Sequence, residues 1–166
     1  MAELIVEELS GLGIATVMAR KGVTGATIGA ILGVEPLTGP GAAYADDLTI
    51  IGTGPESWLV VKANAAPDFA NHLNTALAGL ASVSDQSGSY AVTRLIGPQA
   101  RTVLQRGAAI DFHPNSFRSG SAVTTVIAHI GVIIWQTEDQ PAYHVATFRS
   151  YTHSFRHWLD TTIATL

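Results

Sequence analysis

Cysteine is absent from the 166 residues. That one absence removes disulfides, thiolate nucleophiles, and cysteine-ligated zinc or iron–sulfur sites together. It also fits an expected cytoplasmic location. Charge is scarce: Asp, Glu, Lys and Arg make up 13% of the chain, against about 25% in a typical soluble protein. Lys21 and Lys62 are the only lysines. A free monomer normally covers its surface with charge, whereas interface cores are depleted in Lys, Glu and Asp. The depletion points to a chain with part of its surface against a partner. The alternative is a small monomer with Ser, Thr and Asn as its polar surface. Lys and Arg form no cluster, and the net charge is −4. No nucleic-acid footprint and no anionic-membrane patch is readable. No apolar run approaches the ~20 residues of a membrane span. Met1 to Glu8 is acidic and lacks a basic start, so no signal peptide is expected.

Hydrophobic residues make up 47% of the chain, enough for one core, and a single domain over 1–166 is expected. Four helices are predicted. Thr24 to Leu32 has a Thr cap and a Gly33 stop, although Gly25 and Gly29 each weaken it by ~1 kcal/mol. Pro67 to Ala78 places Phe69, Leu73 and Leu77 on one face, with Gly79 beyond its end. Pro98 to Arg106 turns Ala100, Val103 and Leu104 inward and closes at Gly107. Tyr151 to Ala164 carries Phe155, Trp158, Leu159 and Ile163 at helical spacing.

Strands are predicted between them. Ile14 to Ala19 is the first. Leu48–Ile51 and Trp58–Val61 flank a Gly-rich turn as a hairpin. Tyr90 to Ile96 stands alone. Ala122–Ile130 and Val132–Gln136 form a hairpin around Gly131. Ala142–Phe148 follows a polar turn over 138–141. The stretch Glu35 to Asp47 reads as loop. The order gives two degenerate β-α-β-β-α halves, about 1–82 and 83–166, joined within Ser82 to Ser89. Such halves make an α+β fold, an antiparallel sheet with helices packed on it.

Searches for chemistry return little. Gly52-Thr53-Gly54 lacks the third glycine of a dinucleotide loop and lies between strands, and no phosphate-binding P-loop pattern occurs. His153 and His157 stand four apart, so both rings can face one ion, but Ser154 occupies the place of a zinc protease's glutamate. His129 and His144 lie on neighbouring strands and are candidates to meet. The alternative for all four is a local hydrogen bond each, and no carboxylate completes a metal set. Ser87, Ser89, Ser119 and Ser121 neighbour glycines without forming a nucleophile elbow. Asp85, Asp111 and His113 are either an acid–base cluster or turn caps. Trp58, Trp135 and Trp158 are core anchors or interface anchors.

Specific stretches carry a family resemblance. They are Val83-Ser84-Asp85-Gln86-Ser87, Arg94 to Leu104, Gly107 to Pro114 with Phe117, Thr125 to Ile130, and Arg149 to Leu159. In the first half, Gly52 to Val61 is similar to a family hairpin. Together these resemble the gamma subunit of heterotetrameric sarcosine oxidase, whose fold is that of the folate-binding domain of aminomethyltransferases. The resemblance implies a chain without catalytic residues or a cofactor of its own. Its partners would be the alpha, beta and delta subunits, in a complex that demethylates sarcosine to glycine. FAD, FMN, NAD and tetrahydrofolate would sit on the large subunits and zinc on delta. Asp85 is then the folate-pocket candidate, and Trp58, Arg94, His113, His129, Trp135 and Trp158 the interface or structural candidates.

Overall fold

The computed structural model describes residues 4–34, 39–138 and 142–166. In chain order the strands are β1 (Ile5–Leu9), β2 (Gly13–Ala19), β3 (Ala42–Ala45), β4 (Leu48–Gly54), β5 (Ser57–Lys62), β6 (Ala81–Asp85), β7 (Tyr90–Ile96), β8 (Ala122–Ile127), β9 (Ile130–Glu138) and β10 (Ala142–Phe148). The helices are α1 (Gly25–Leu32), α2 (Phe69–Ala76), α3 (Ala100–Gly107) and α4 (Thr152–Ile163), the last led in by a short 3-10 turn over Arg149–Tyr151.

Among the described residues, ten strands form two five-stranded antiparallel sheets. The chain divides into two compact units, one of Ser10–Gly88 and one that joins the residues up to Leu9 with Ser89–Leu166. The sheets run β6-β2-β5-β4-β3 and β1-β7-β10-β9-β8. These orders correspond strand for strand. Each half of the sequence therefore runs leading strand, inner strand, helix, three strands, helix. The leading strands are exchanged: β1 pairs with β7, and β6 pairs with β2. The compact units are cut at Leu9/Ser10 and Gly88/Ser89, the second cut falling at the end of the Ser82 to Ser89 join.

Local chemistry sets the elements. Thr24 caps α1 by accepting from the Thr27 N–H at 3.4 Å, and Gly33 ends it at φ 70°, the left-handed value that glycine tolerates. In the Ser10–Gly88 unit, Ile28, Leu73 and Leu77 from the helical side pack on Val17, Ile50, Trp58 and Val60 of the sheet. In the other unit, Val103, Leu104, Phe155 and Leu159 pack on Leu95, Ile134, Tyr143 and Val145. Each unit so buries one sheet face under two helices.

Three expectations are corrected. The stretch read as loop contains β3, whose Ala-Ala-Tyr-Ala sequence is held by pairing with β4; its residues 35–38 lie outside the described residues. The β8–β9 hairpin turns on Ala128 and His129, at φ 49° and 67°, and Gly131 lies inside β9. Gly107 is the last residue of α3 and not a stop beyond it. Of the turn read over 138–141, residues 139–141 lie outside the described residues.

Tyr143 is fully buried, and among the described residues its hydroxyl finds no hydrogen-bond partner. A buried, unsatisfied hydroxyl is a cost. Tyr143→Phe is expected to raise unfolding free energy by about 1 kcal/mol, read by urea denaturation. A loss of stability would show that the hydroxyl is satisfied.

Candidate functional site

The end of the β8–β9 hairpin and one face of α4 enclose a cleft of about 490 Å³. That volume lies in the range of small-molecule and anchor-residue pockets, about 300–1,000 Å³. Helical spacing brings Ser154, His157, Trp158, Thr161 and Thr162 to one wall, and Ala128, His129 and Ile130 form the other. Tyr151 also lines the cleft and is 48% exposed.

Two features build this cleft. The first is the turn. A two-residue hairpin turn wants positive φ at both positions, which Asn-Gly meets easily. Here Ala and His adopt it, at a strain of about 1–3 kcal/mol each. The second is Trp158. A Cβ at Gly107 would run into the Trp158 ring and lie 2.9 Å from Ile127 Cγ2. Glycine at 107 thus lets the indole lie against the end of α3. Phe155 packs on the indole at 5.7 Å between ring centroids.

The cleft is lined by no Asp, Glu, Lys or Arg among the described residues. Ser154 and His157 share it, but among the described residues no hydrogen bond joins them and no carboxylate orients the ring. It lacks the arrangement of nucleophilic catalysis. Among the described residues no group of three or more His, Asp or Glu is placed to hold a metal ion. What the cleft can do is bind: aromatic walls accept an apolar group, and imidazoles and hydroxyls pair with its polar edge.

A second feature crosses the sheet of the same unit. Glu7, Arg94, His144, Trp135 and Ala122 stand side by side on β1, β7, β10, β9 and β8. Glu7 and Arg94 form an ion pair at 3.6 Å. The His144 ring stacks on Trp135 at 5.1 Å and 9°. The imidazole Nδ1 is buried, with no hydrogen-bond partner among the described residues. Burial first, and the neighbouring Arg94 charge second, push the His144 pKa down to about 4.

This shift has a consequence for stability. Between about pH 6.5 and 4 the unfolded chain takes up a proton that the folded chain refuses. Stability is full above that window and falls as pH drops through it, by roughly 2–3 kcal/mol after a discount for partial exposure. His144→Gln is expected to flatten the slope of unfolding free energy against pH in this window. An unchanged slope would contradict the assignment. The carboxylates act elsewhere. Asp47 is held low by Lys62, Asp85 by the Ser87 N–H, and Asp111 by the Ser116 hydroxyl. What they contribute is lost only as pH falls below the ordinary carboxylate range.

The other sequence candidates fall in separate places. Trp58 and Trp135 are each 2% exposed and lie inside the fold. Trp158 and His129 line the cleft. His144 is on the sheet and His129 in the hairpin turn, so these two do not meet. His157 lines the cleft, while His153, one turn earlier on α4, does not. Asp111 and His113 form a turn: Asp111 accepts from the His113 N–H at 2.9 Å and the Ser116 hydroxyl at 2.6 Å. Asp85 is exposed and accepts from the Ser87 N–H at 2.9 Å. Tyr151, Ser154 and the strained turn were not singled out from the sequence. Ser154 and His157 sit beside the apolar stripe of α4, and nothing in Ala-His announces a turn.

The chain matches the family model described as GCVT N-terminal domain over residues 23–138. It is 30% identical over 128 residues to the sarcosine oxidase subunit gamma of Corynebacterium sp. (strain P-1). That alignment takes in 76% of this chain and 62% of the relative's length. Among solved structures, it is similar to a chain of heterotetrameric sarcosine oxidase from Corynebacterium sp. U-96 in complex with pyrrole 2-carboxylate. The TM-score is 0.88 at 27% identity, over 99% of this chain and 87% of that one. It also shares the fold of glycine cleavage system aminomethyltransferase T from Bartonella henselae, at a TM-score of 0.69 and 16% identity over 95% of this chain and 45% of that one.

Proposed function

The chain belongs to the family of the GCVT N-terminal domain, and from that premise we propose that it is the gamma subunit of a heterotetrameric sarcosine oxidase. The observation that carries this reading is the fold match along 99% of the chain to a chain of such an oxidase. The shortage of charge supports it, because a subunit gives part of its surface to partners.

In this reading residues 1–166 form one gamma-like domain in a complex with alpha, beta and delta subunits. The complex oxidises sarcosine to glycine with formation of hydrogen peroxide. The methyl carbon leaves as 5,10-methylenetetrahydrofolate or formaldehyde. FAD, FMN, NAD and tetrahydrofolate belong to the large subunits, zinc belongs to delta, and the assembly is cytoplasmic. This chain contributes structure and not redox chemistry. Arg94, His113, Trp58 and Trp135 serve the fold, and His129 and Trp158 face the cleft.

Asp85 is the residue that the family's folate link singles out. Its carboxylate is exposed and engaged by its own turn, which argues against recognition of a buried heterocycle by this group. Calorimetric titration of the purified chain with tetrahydrofolate is expected to give no binding heat at millimolar ligand. Saturable binding would favour a stand-alone one-carbon protein instead.

A further inference from the structure

Among the described residues, four strands lie at sheet edges: β1, β3, β6 and β8. An edge strand presents every second N–H and C=O to whatever lies beside it, so folded proteins blunt such edges with charge, brevity or distortion. Three of these are blunted. β1 carries Glu7 and Glu8, paired with Arg94 at 3.6 Å and Arg156 at 3.5 Å. β3 has four residues. β6 has five, ends on Asp85, and consists mainly of small residues.

β8 is different. Its sequence, Ala122-Val123-Thr124-Thr125-Val126-Ile127, has no charge and no proline, and five of its residues are β-branched. Its register against β9 runs without a bulge from Ala122↔Trp135 to Ile127↔Ile130. Thr124 is exposed and Val126 is 53% exposed. The strand runs directly into Ala128 and His129, the strained wall of the cleft. An uncharged, straight edge therefore leads to an aromatic-walled pocket. Strand addition uses these two parts: main-chain hydrogen bonds along an edge supply affinity, and a side-chain pocket supplies specificity.

We propose that β8 is a docking edge for an extended, uncharged segment of a partner subunit, which adds as a sixth strand and seats one apolar or aromatic side chain in the cleft between His129 and Trp158. The occupant is uncharged because neither the strand nor the cleft offers a carboxylate, lysine or arginine to match a charge. The proposal rests on the reading of this chain as an oxidase subunit.

The test uses the full chain, tagged and co-expressed with the alpha, beta and delta subunits of a sarcosine oxidase. Two changes block the edge and the pocket separately: the pair Thr124→Lys with Val126→Lys, and Ser154→Arg. Both act at exposed positions, so circular dichroism and the thermal midpoint are expected to stay near wild type. Val126→Thr is the conservative control. Expected are a loss of assembled complex of at least about tenfold for both blocking variants, full assembly of the control, and slowed amide exchange along β8 in the wild-type complex.

Equal assembly of wild type and blocking variants would overturn the docking edge and leave the subunit reading standing. A wild-type chain that dimerises alone, with the dimer lost in the lysine variant, would make a second copy the occupant and overturn the proposal. A wild-type chain that joins no partner would overturn the subunit reading and this inference with it.

Discussion

Phe112→Ala is expected to lower the unfolding free energy by about 3–5 kcal/mol, the cost of a large aromatic truncated in a packed core. Phe112 is fully buried. Its ring lies 5.1 Å from Phe117 and meets Tyr143 edge-on at 5.8 Å and 84°. The surrounding chain, between α3 and β8, has no regular structure to hold it. It is pinned on the outside by Asp111, which accepts from His113 N–H and the Ser116 hydroxyl, and by the His113 carbonyl, which accepts from Ser116 and Phe117. Inside, the aromatic trio supplies the burial. Alanine leaves the two remaining rings around a void that this pinned backbone cannot collapse to fill. Phe112→Leu retains volume and is expected to cost less, about 1–2 kcal/mol. Urea denaturation of the three proteins gives the comparison. A loss below about 1 kcal/mol for alanine would mean that the loop collapses freely.

Gly107→Val is the second large effect. Its added atoms meet the Trp158 ring and Ile127 Cγ2. The indole is also held by Phe155, so it has no free side to move toward except the cleft. An overpacked site of this kind loses about 1–3 kcal/mol, partly offset by better helix propensity than glycine's. The diagnostic result is spectroscopic: the Trp158 emission changes as the ring is pushed into the open cleft. A chain of unchanged stability and unchanged emission would show that α3 and α4 separate easily.

Much of this fold is legible in the sequence, for identifiable reasons. β4, β5, β7 and β9 are rich in Val, Ile and Leu, and punctuation by Gly and Pro brackets α2 and α3. Thr24 and Gly33 signal α1 at both ends, and the structure uses both. The elements that escape are the ones whose stability comes from a partner strand and not from their own composition. β1 is half acidic, β3 is three parts alanine, and β6 is mostly small and polar. None has the composition of a strand: β1 and β6 exist because a strand far along the chain supplies their hydrogen bonds, and β3 because it closes a tight hairpin with β4. The exchange of β1 and β6 follows the same logic: a repeat is a local pattern, but the choice of sheet for each leading strand is not.

The cleft divides in the same way. His129 and Trp158 stand out by residue type. Their convergence needs a turn that Ala128-His129 does not advertise and a glycine at 107 whose purpose is space, not a helix stop. Tyr151 and Ser154 become interesting only once α4 lies against that turn. The row Glu7–Arg94–His144–Trp135 also requires knowledge of register across strands that lie far apart in sequence. Composition nonetheless anticipates the functional reading, because a chain with 13% charged residues has little charge to cover a free surface.

The most direct test of the account is affinity purification of the tagged chain after co-expression with the alpha, beta and delta subunits of sarcosine oxidase. The account predicts a stable equimolar complex that carries flavin absorbance and oxidises sarcosine, from a chain that is colourless when purified alone. A colourless, monodisperse monomer that retains none of those subunits would contradict it.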